Sequence, residues 1–286
     1  MLSWSIGQVT VTCIQESQAD VPPGFLIPGL TAEAVAAIDW LDPRFLGEGG
    51  LLRLAIQALV IRTPDRLIVV DTCLGNDKFG REIPNWNGLD TRFLEDFAAA
   101  GFDPGAVDTV FCTHLHSDHV GWNTYRSGDG WAPTFPNARY LLGRTEFDYW
   151  DQARETGHGS TPAVFADSIQ PLFDAGLVDL IELPHQVTDE IVLTPTPGHT
   201  PGHASVEIRS QGQAGLITGD FIHHPCQMAV PDLAEVADTD AALAGETRRR
   251  LLADCADQPI LVIGTHFARP VAGHVRSDGA VFRFEV

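Results

Sequence analysis

Three histidines and an aspartate fall within six positions of the stretch FCTHLHSDHVGWNT, residues 111–124. His114, His116, Asp118 and His119 form the pattern H-x-H-x-D-H at the end of the β-branched run TVFCTH, which reads as a strand. Two histidines two residues apart at a strand end can aim both imidazoles at one ion. Asp118 and His119, one loop turn later, can serve a second. Imidazole nitrogen and carboxylate oxygen are donors that zinc and its neighbours accept at about 2.0–2.2 Å. The alternative is a polar loop that happens to contain histidines, a coincidence expected in about one of a thousand chains of this composition.

Other apolar runs also stop at a polar residue: RLIVVD at Asp71, EIVLTPTPGH at His199, GLITGD at Asp220 and ILVIGTH at His266. Beside turn-forming residues, His199, Asp220 and His266 are the good candidates to complete a metal site. His158, His185 and His274 stand alone, and a solitary histidine is more often structural or superficial. Neither a G-x-S-x-G elbow nor an activated-cysteine signature occurs, which agrees with chemistry in which the protein supplies no nucleophile of its own.

Strands alternating with helices must position these residues. Residues 90–100, 145–155 and 239–255 read as helices, with Asp90 or Thr91 a candidate N-cap of the first and a threonine near the start of the other two. TPDR at 63–66 is a turn signature between IQALVI and RLIVVD, so those runs are expected to form a hairpin. The pattern recurs through both halves without a linker, which predicts one domain over 1–286 built of two similar halves meeting near residues 175–190. Residues 20–50 and 121–136 break the pattern. Rich in Pro and Gly and carrying Phe25, Trp40, Phe45, Trp122 and Trp131, they read as lid-like insertions or pocket walls, with a core or subunit contact the equal alternative for each aromatic. Arg248–Arg250 reads as a solvated helix face.

The formal net charge of −20 over 286 residues repels nucleic acid and anionic membrane and leaves neutral or cationic small molecules free to approach. Cys13, Cys73, Cys112, Cys226 and Cys255 are odd in number, widely spaced and without a C-x-x-C pair, so they read as buried thiols. The opening MLSWSIGQVTVTCIQES has no basic segment followed by a long apolar one, and no run reaches the ~18 apolar residues of a membrane span. A soluble cytoplasmic protein without a signal peptide is the expectation.

With H-L-H-S-D-H at 114–119, P-G-H-T-P-G-H at 197–203, T-G-D at 218–220, G-T-H at 264–266 and V-D-T at 70–72, the chain resembles the metallo-β-lactamase fold superfamily of binuclear metal hydrolases over about residues 50–270. The resemblance implies an α/β fold, a four-layer αβ/βα sandwich of two mixed β-sheets flanked by helices. It assigns His114, His116 and His199 to a first metal, Asp118, His119 and His266 to a second, Asp220 to both as a bridge, and Asp71 to orienting the ligands from behind. Two divalent ions are expected, zinc first, with cobalt, manganese or iron fitting the same donors. The family's oxygen-reducing di-iron members carry a glutamate at the position of His116, so redox chemistry is not expected.

Two such ions can share a water that ionises near pH 7. The implied reaction is attack of that hydroxide on a neutral small ester, whether lactone, aryl or alkyl ester, or phosphotriester, with Asp118 or Asp220 protonating the leaving group. Lactonases of the family that open acyl-homoserine lactones often carry a tyrosine three positions after the bridging aspartate. Here that position is His223, a further catalytic candidate and a likeness to the organophosphate-hydrolase and aryl-ester-hydrolase branch. His203 is expected to be structural, and His224 is placed with His223 on the cleft rim. The nearest enzymatic alternative is a β-lactam hydrolase, although no basic residue beside the motifs would anchor its anionic substrate. The alternative of another class is a catalytically silent metal-bound sensor or interaction module. The aromatic residues of the two insertions leave room for a homodimer, a frequent state in the family.

Overall fold

Runs of branched apolar residues become strands that are buried on both faces, as at Leu67–Val70 and Thr109–Phe111. The computed structural model describes residues 2–286, which form two compact units. One takes the chain up to Ser17 together with Ile56–Leu183; the other takes Gln18–Ala55 and Pro184–Val286.

A seven-stranded mixed sheet organises the first unit, in the order Leu2–Ile6, Val9–Val21, Leu52–Arg62, Leu67–Val70, Thr109–Phe111, Arg139–Gly143, Val178–Ile181. The expected hairpin is present, with Leu59 opposite Val70 and Arg62 opposite Leu67. From Leu67–Val70 onwards the neighbouring strands run parallel. The helices Phe93–Ala99 and Arg144–Glu155 lie where helices were expected, but their first turns differ. Neither has a side-chain cap, and Thr91 is engaged elsewhere: its N–H donates to Asn76 Oδ1 (2.7 Å) and its hydroxyl to Glu16 Oε1 (3.0 Å).

A second seven-stranded mixed sheet organises the other unit: His185–Gln186, Ile191–Pro195, Ala204–Ser210, Gln213–Ile217, Ile260–Ile263, Ala272–Asp278, Val281–Glu285. The pairing of Gln213–Ile217 with Ile260–Ile263 is parallel and the others are antiparallel. The helix Ala241–Cys255 is capped by Asp240, which accepts from Leu243 N at 3.0 Å. The fold is therefore α/β, with two large mixed sheets and flanking helices.

Residues 20–50 belong to this second unit and supply Leu26, Ile27, Leu30, Val35, Leu41 and Phe45 to its core. Phe25 alone among their aromatics is exposed, at 59%. In the first unit Trp122 is a core residue, stacked 5.4 Å from Phe93 with its indole N–H donating to Glu16 Oε1 at 2.6 Å. Trp131 sits on the hairpin Thr124–Ser127/Gly130–Pro133, its ring 3.8 Å from Lys78 Nζ.

Arg248 corrects the reading of 248–250 as a solvated face. Its side chain is fully buried, because the carbonyls of Phe221, Pro231 and Leu233 accept its N–H groups at 2.8–3.0 Å. Arg249 and Arg250 do face solvent and pair with Asp232 and Asp254. All five cysteines are free and buried, and no helix among the described residues is long and apolar enough to cross a membrane.

Candidate metal centre

Strand Thr109–Phe111 delivers the first histidine, and the short helix Ser117–Val120 carries Asp118 and His119. His114 and His119 are buried, and Asp118 is 12% exposed at its side chain. His114 Nε2 lies 2.9 Å from His116 Nδ1. Two nitrogens that share a tetrahedral zinc lie about 3.3 Å apart, so these rings need only part slightly to receive an ion. His114 Nδ1 faces Thr113 Oγ1 at 3.1 Å, and that hydroxyl in turn donates to Asp71. The imidazole therefore donates from Nδ1 and keeps its Nε2 lone pair for His116 or a metal.

Asp71 follows strand Leu67–Val70 in a left-handed conformation, φ 57°, which turns its carboxylate towards the ligand loop. Its Oδ1 accepts from Thr113 N (2.8 Å), and its Oδ2 lies 3.0 Å from His119 Nδ1. Such a carboxylate fixes the tautomer of a ligand histidine, and His119 Nε2 lies 3.7 Å from Asp118 Oδ2. Asp71→Asn is expected to weaken metal retention about 10–100-fold, measured by competition with a chromogenic chelator.

In the second unit Asp220 is the focus. Its Oδ2 lies 3.1 Å from His223 Nε2, 3.2 Å from His266 Nε2 and 3.6 Å from His199 Nε2. The opposite nitrogens are occupied: His266 Nδ1 donates to Ala55 O (2.8 Å), and His199 Nδ1 lies 3.2 Å from Asp238 Oδ1. Among the described residues, Asp220, His223 and His266 each offer a donor atom within 4.8 Å of the others, as do His199, His223 and Glu235. Burial disfavours charge on His223, but the carboxylates of Asp220, Glu235 and Asp238 outweigh it and raise its pKa to about 9. Its ring stacks on His266 at 5.2 Å.

His203, expected to be structural, has both ring nitrogens engaged by the backbone. Its Nε2 accepts from Asp220 N (2.7 Å), and its Nδ1 is 3.0 Å from Thr196 O. The same holds for His224: Nε2 donates to Phe45 O (2.9 Å) and Nδ1 accepts from Cys226 N (3.1 Å). Burial lowers its pKa to about 4, against the weaker opposing pull of the Phe45 carbonyl. Because the folded-state value is depressed, the neutral ring contributes its full stability above about pH 6.5, and that contribution is lost as pH falls towards 4. The loss amounts to about 3 kcal/mol. Denaturant titrations across this window should show that slope in the wild-type protein and a flatter one in His224→Gln.

Three acidic residues emerge here that the motifs did not mark. Glu146, 1% exposed, accepts from Leu115 N (3.0 Å) and Trp150 Nε1 (2.7 Å) and so pins the H-x-H loop to helix Arg144–Glu155. Its only sequence signal is the four-residue spacing to Trp150, which puts both on one helix face. Glu235 and Asp238 lie in a segment without any chemical motif.

The family model described as the metallo-beta-lactamase superfamily matches residues 52–266. An N-acyl homoserine lactonase of Bacillus cereus is 25% identical over 218 residues, covering 72% of this chain and 78% of that protein. The N-acyl homoserine lactonase AttM of Rhizobium radiobacter is 32% identical over 165 residues, 52% of this chain and 56% of that one. The match to an N-acyl homoserine lactonase of Bacillus thuringiensis spans 65% of that protein's length. Among solved structures, hydrolase AbOPH of the beta lactamase superfamily superposes with a TM-score of 0.81 at 23% identity over 99% of this chain and 95% of that one. AidC, a dizinc quorum-quenching lactonase, also scores 0.81, at 21% identity over 99% and 96%. These two likenesses bear on the fold.

Proposed function

The chain belongs to the metallo-beta-lactamase superfamily, and on that premise we propose that it is a binuclear metal-dependent hydrolase of neutral lactones and related small esters. The observation that carries this reading is tautomeric. His114, His119, His199 and His266 each present Nδ1 to an acceptor, namely Thr113 Oγ1, Asp71, Asp238 and Ala55 O. In each of the four, Nε2 turns to another candidate ligand, His116, Asp118 or Asp220, whereas in His203, which also presents Nδ1 to an acceptor, Nε2 is taken by Asp220 N.

The proposed assignment is His114, His116 and His199 for one metal, Asp118, His119 and His266 for the other, and Asp220 for both, with zinc as the native pair. When bound there, the ions supply Lewis acidity and an acidified water. Asp71 and Asp238 hold ligand rings in place from behind, and Glu146 holds the loop between His114 and His116. Asp118, the most accessible of the site carboxylates, passes the proton to the leaving oxygen, and Asp220 is the weaker candidate because a bridging carboxylate is a poor base. His223, beside Asp220, orients the substrate carbonyl or phosphoryl group.

Neutral lactones lead the substrate classes because relatives at 25% and 32% identity are N-acyl homoserine lactonases by name. The chain's net charge of −20 also favours an uncharged substrate. His223 in place of the lactonases' usual tyrosine keeps aryl esters and phosphotriesters in the same class. Assay of the zinc-loaded protein on a panel of lactones, aryl esters, phosphotriesters and a chromogenic β-lactam tests the proposal. Turnover of at least one neutral class is expected. Turnover of the β-lactam alone, or of nothing by a protein carrying both metals, overturns it.

A further inference from the structure

His199 is the ligand candidate whose support lies furthest from any motif. Asp238 Oδ1 lies 3.2 Å from His199 Nδ1, and the other oxygen of that carboxylate accepts from Glu235 N at 2.9 Å and lies 3.5 Å from Arg248 Nη2. Asp238 and Arg248 both have fully buried side chains. Arg248 in turn directs three further donors to Phe221 O, Pro231 O and Leu233 O. The backbone around His199 is tied to the same region: Thr239 N donates to His199 O (2.9 Å), Asp240 N to Gly198 O (2.9 Å) and the Thr247 hydroxyl to Pro197 O (2.6 Å). A Cβ at Gly198 would stand 2.3 Å from Ala244 N, so loop and helix touch backbone to backbone.

Resting on the functional reading above, we infer that Asp238, clamped by Arg248, is a positioning residue that dictates the tautomer of His199 and thereby the affinity of the metal His199 binds. A carboxylate can only accept, so Asp238 forces the proton onto Nδ1 and leaves the Nε2 lone pair for the ion. Asp238→Asn keeps shape and volume but reverses this logic. Glu235 N and the Arg248 guanidinium are both donors and hold the amide oxygen. The amide NH2 then faces His199 Nδ1 and donates to it. The ring proton moves to Nε2, and the ligand lone pair is lost.

The test is metal retention by the full chain loaded with zinc and then dialysed against a graded chelator, with cobalt substitution to read the ligand field. Wild type is expected to hold two equivalents at a chelator level where Asp238→Asn holds one, a weakening of about 10–100-fold at a single site, with altered cobalt absorption of that ion only. Arg248→Lys, which keeps the charge and loses the fork, is expected to shift retention in the same direction by less. Asp254→Asn, on the exposed side of the same helix, is expected to match wild type. A purely structural role would lower the melting temperature of the metal-free protein and leave metal affinity and cobalt spectrum unchanged. Those outcomes in Asp238→Asn overturn the inference, and if that variant fails to fold, unchanged affinity in Arg248→Lys overturns it instead. A wild type that binds no metal overturns the functional reading itself, whereas two equivalents in both wild type and Asp238→Asn overturn only this inference.

Discussion

Replacing Asp220 with asparagine is expected to lower kcat/KM by more than about a hundredfold, beyond the 10–100-fold typical of losing an outer partner of a metal ligand. One oxygen of this carboxylate is approached by three imidazole nitrogens within 3.6 Å, and the residue is 2% exposed. The amide that replaces it carries no charge, and one of its two ends donates instead of accepting. His223 and His266, facing Oδ2 at 3.1 and 3.2 Å, would lose the anion that gathers them. The backbone can stay in place, because Asp220 N still donates to His203 Nε2. Kinetics and metal content on one preparation should therefore fall together while the far-ultraviolet spectrum stays native. Full activity with two metals bound would contradict the bridging role.

The second large effect is on folding. A methyl group at Gly121 would lie 1.9 Å from the carbonyl carbon and oxygen of Leu74, both main-chain atoms, so no side-chain rearrangement can make room. Gly121 N also donates to Cys73 O and Trp122 N to Thr72 O, each at 2.7 Å. The segment after Asp71 is thus pressed against the residues just beyond Asp118 and His119. Gly121→Ala is expected to destabilise the protein by more than about 4 kcal/mol, measured as free energy of unfolding in urea on the metal-free protein. Gly245→Ala is the control: no atom lies within 4 Å of its hypothetical Cβ, and it sits inside the helix Ala241–Cys255. It should gain about 0.5–1 kcal/mol from helix propensity and reduced freedom of the unfolded chain. Equal behaviour of the two variants would refute the close-approach argument.

Strands were legible in the sequence because a buried strand needs continuous branched apolar residues. TVFCTH, GLITGD and ILVIGTH reach polar residues at His114, Asp220 and His266, each three residues beyond the strand's actual last residue, Phe111, Ile217 and Ile263. Helix existence was legible for the same reason, through apolar spacing, whereas caps were not. Thr91 looks like a cap until Asn76 and Glu16, remote in sequence, take its hydrogen bonds. Long-range burial was the least legible. Arg248 sits in a basic triplet that resembles any solvated helix face, and only carbonyls from 221, 231 and 233 reveal that its guanidinium is held inside the protein. Asp238 and Glu146 escaped for a related reason. A buried carboxylate that holds a loop or faces a ring from behind needs no fixed spacing from it, so in a chain with 38 acidic residues nothing local sets it apart. For residues 20–50, whose Pro and Gly suggest a lid or pocket wall, a core contact was the equal alternative for each aromatic, and Phe45 does pack into the second unit's core.

A crystal structure of the zinc-loaded protein, with anomalous differences collected at the zinc edge, would locate the ions. Two strong peaks per chain are expected, both coordinated by Asp220, one also by His114, His116 and His199 and the other by Asp118, His119 and His266. A chain with no peak among these side chains, or with a single ion that leaves Asp220 uncoordinated, would contradict the proposed assignment.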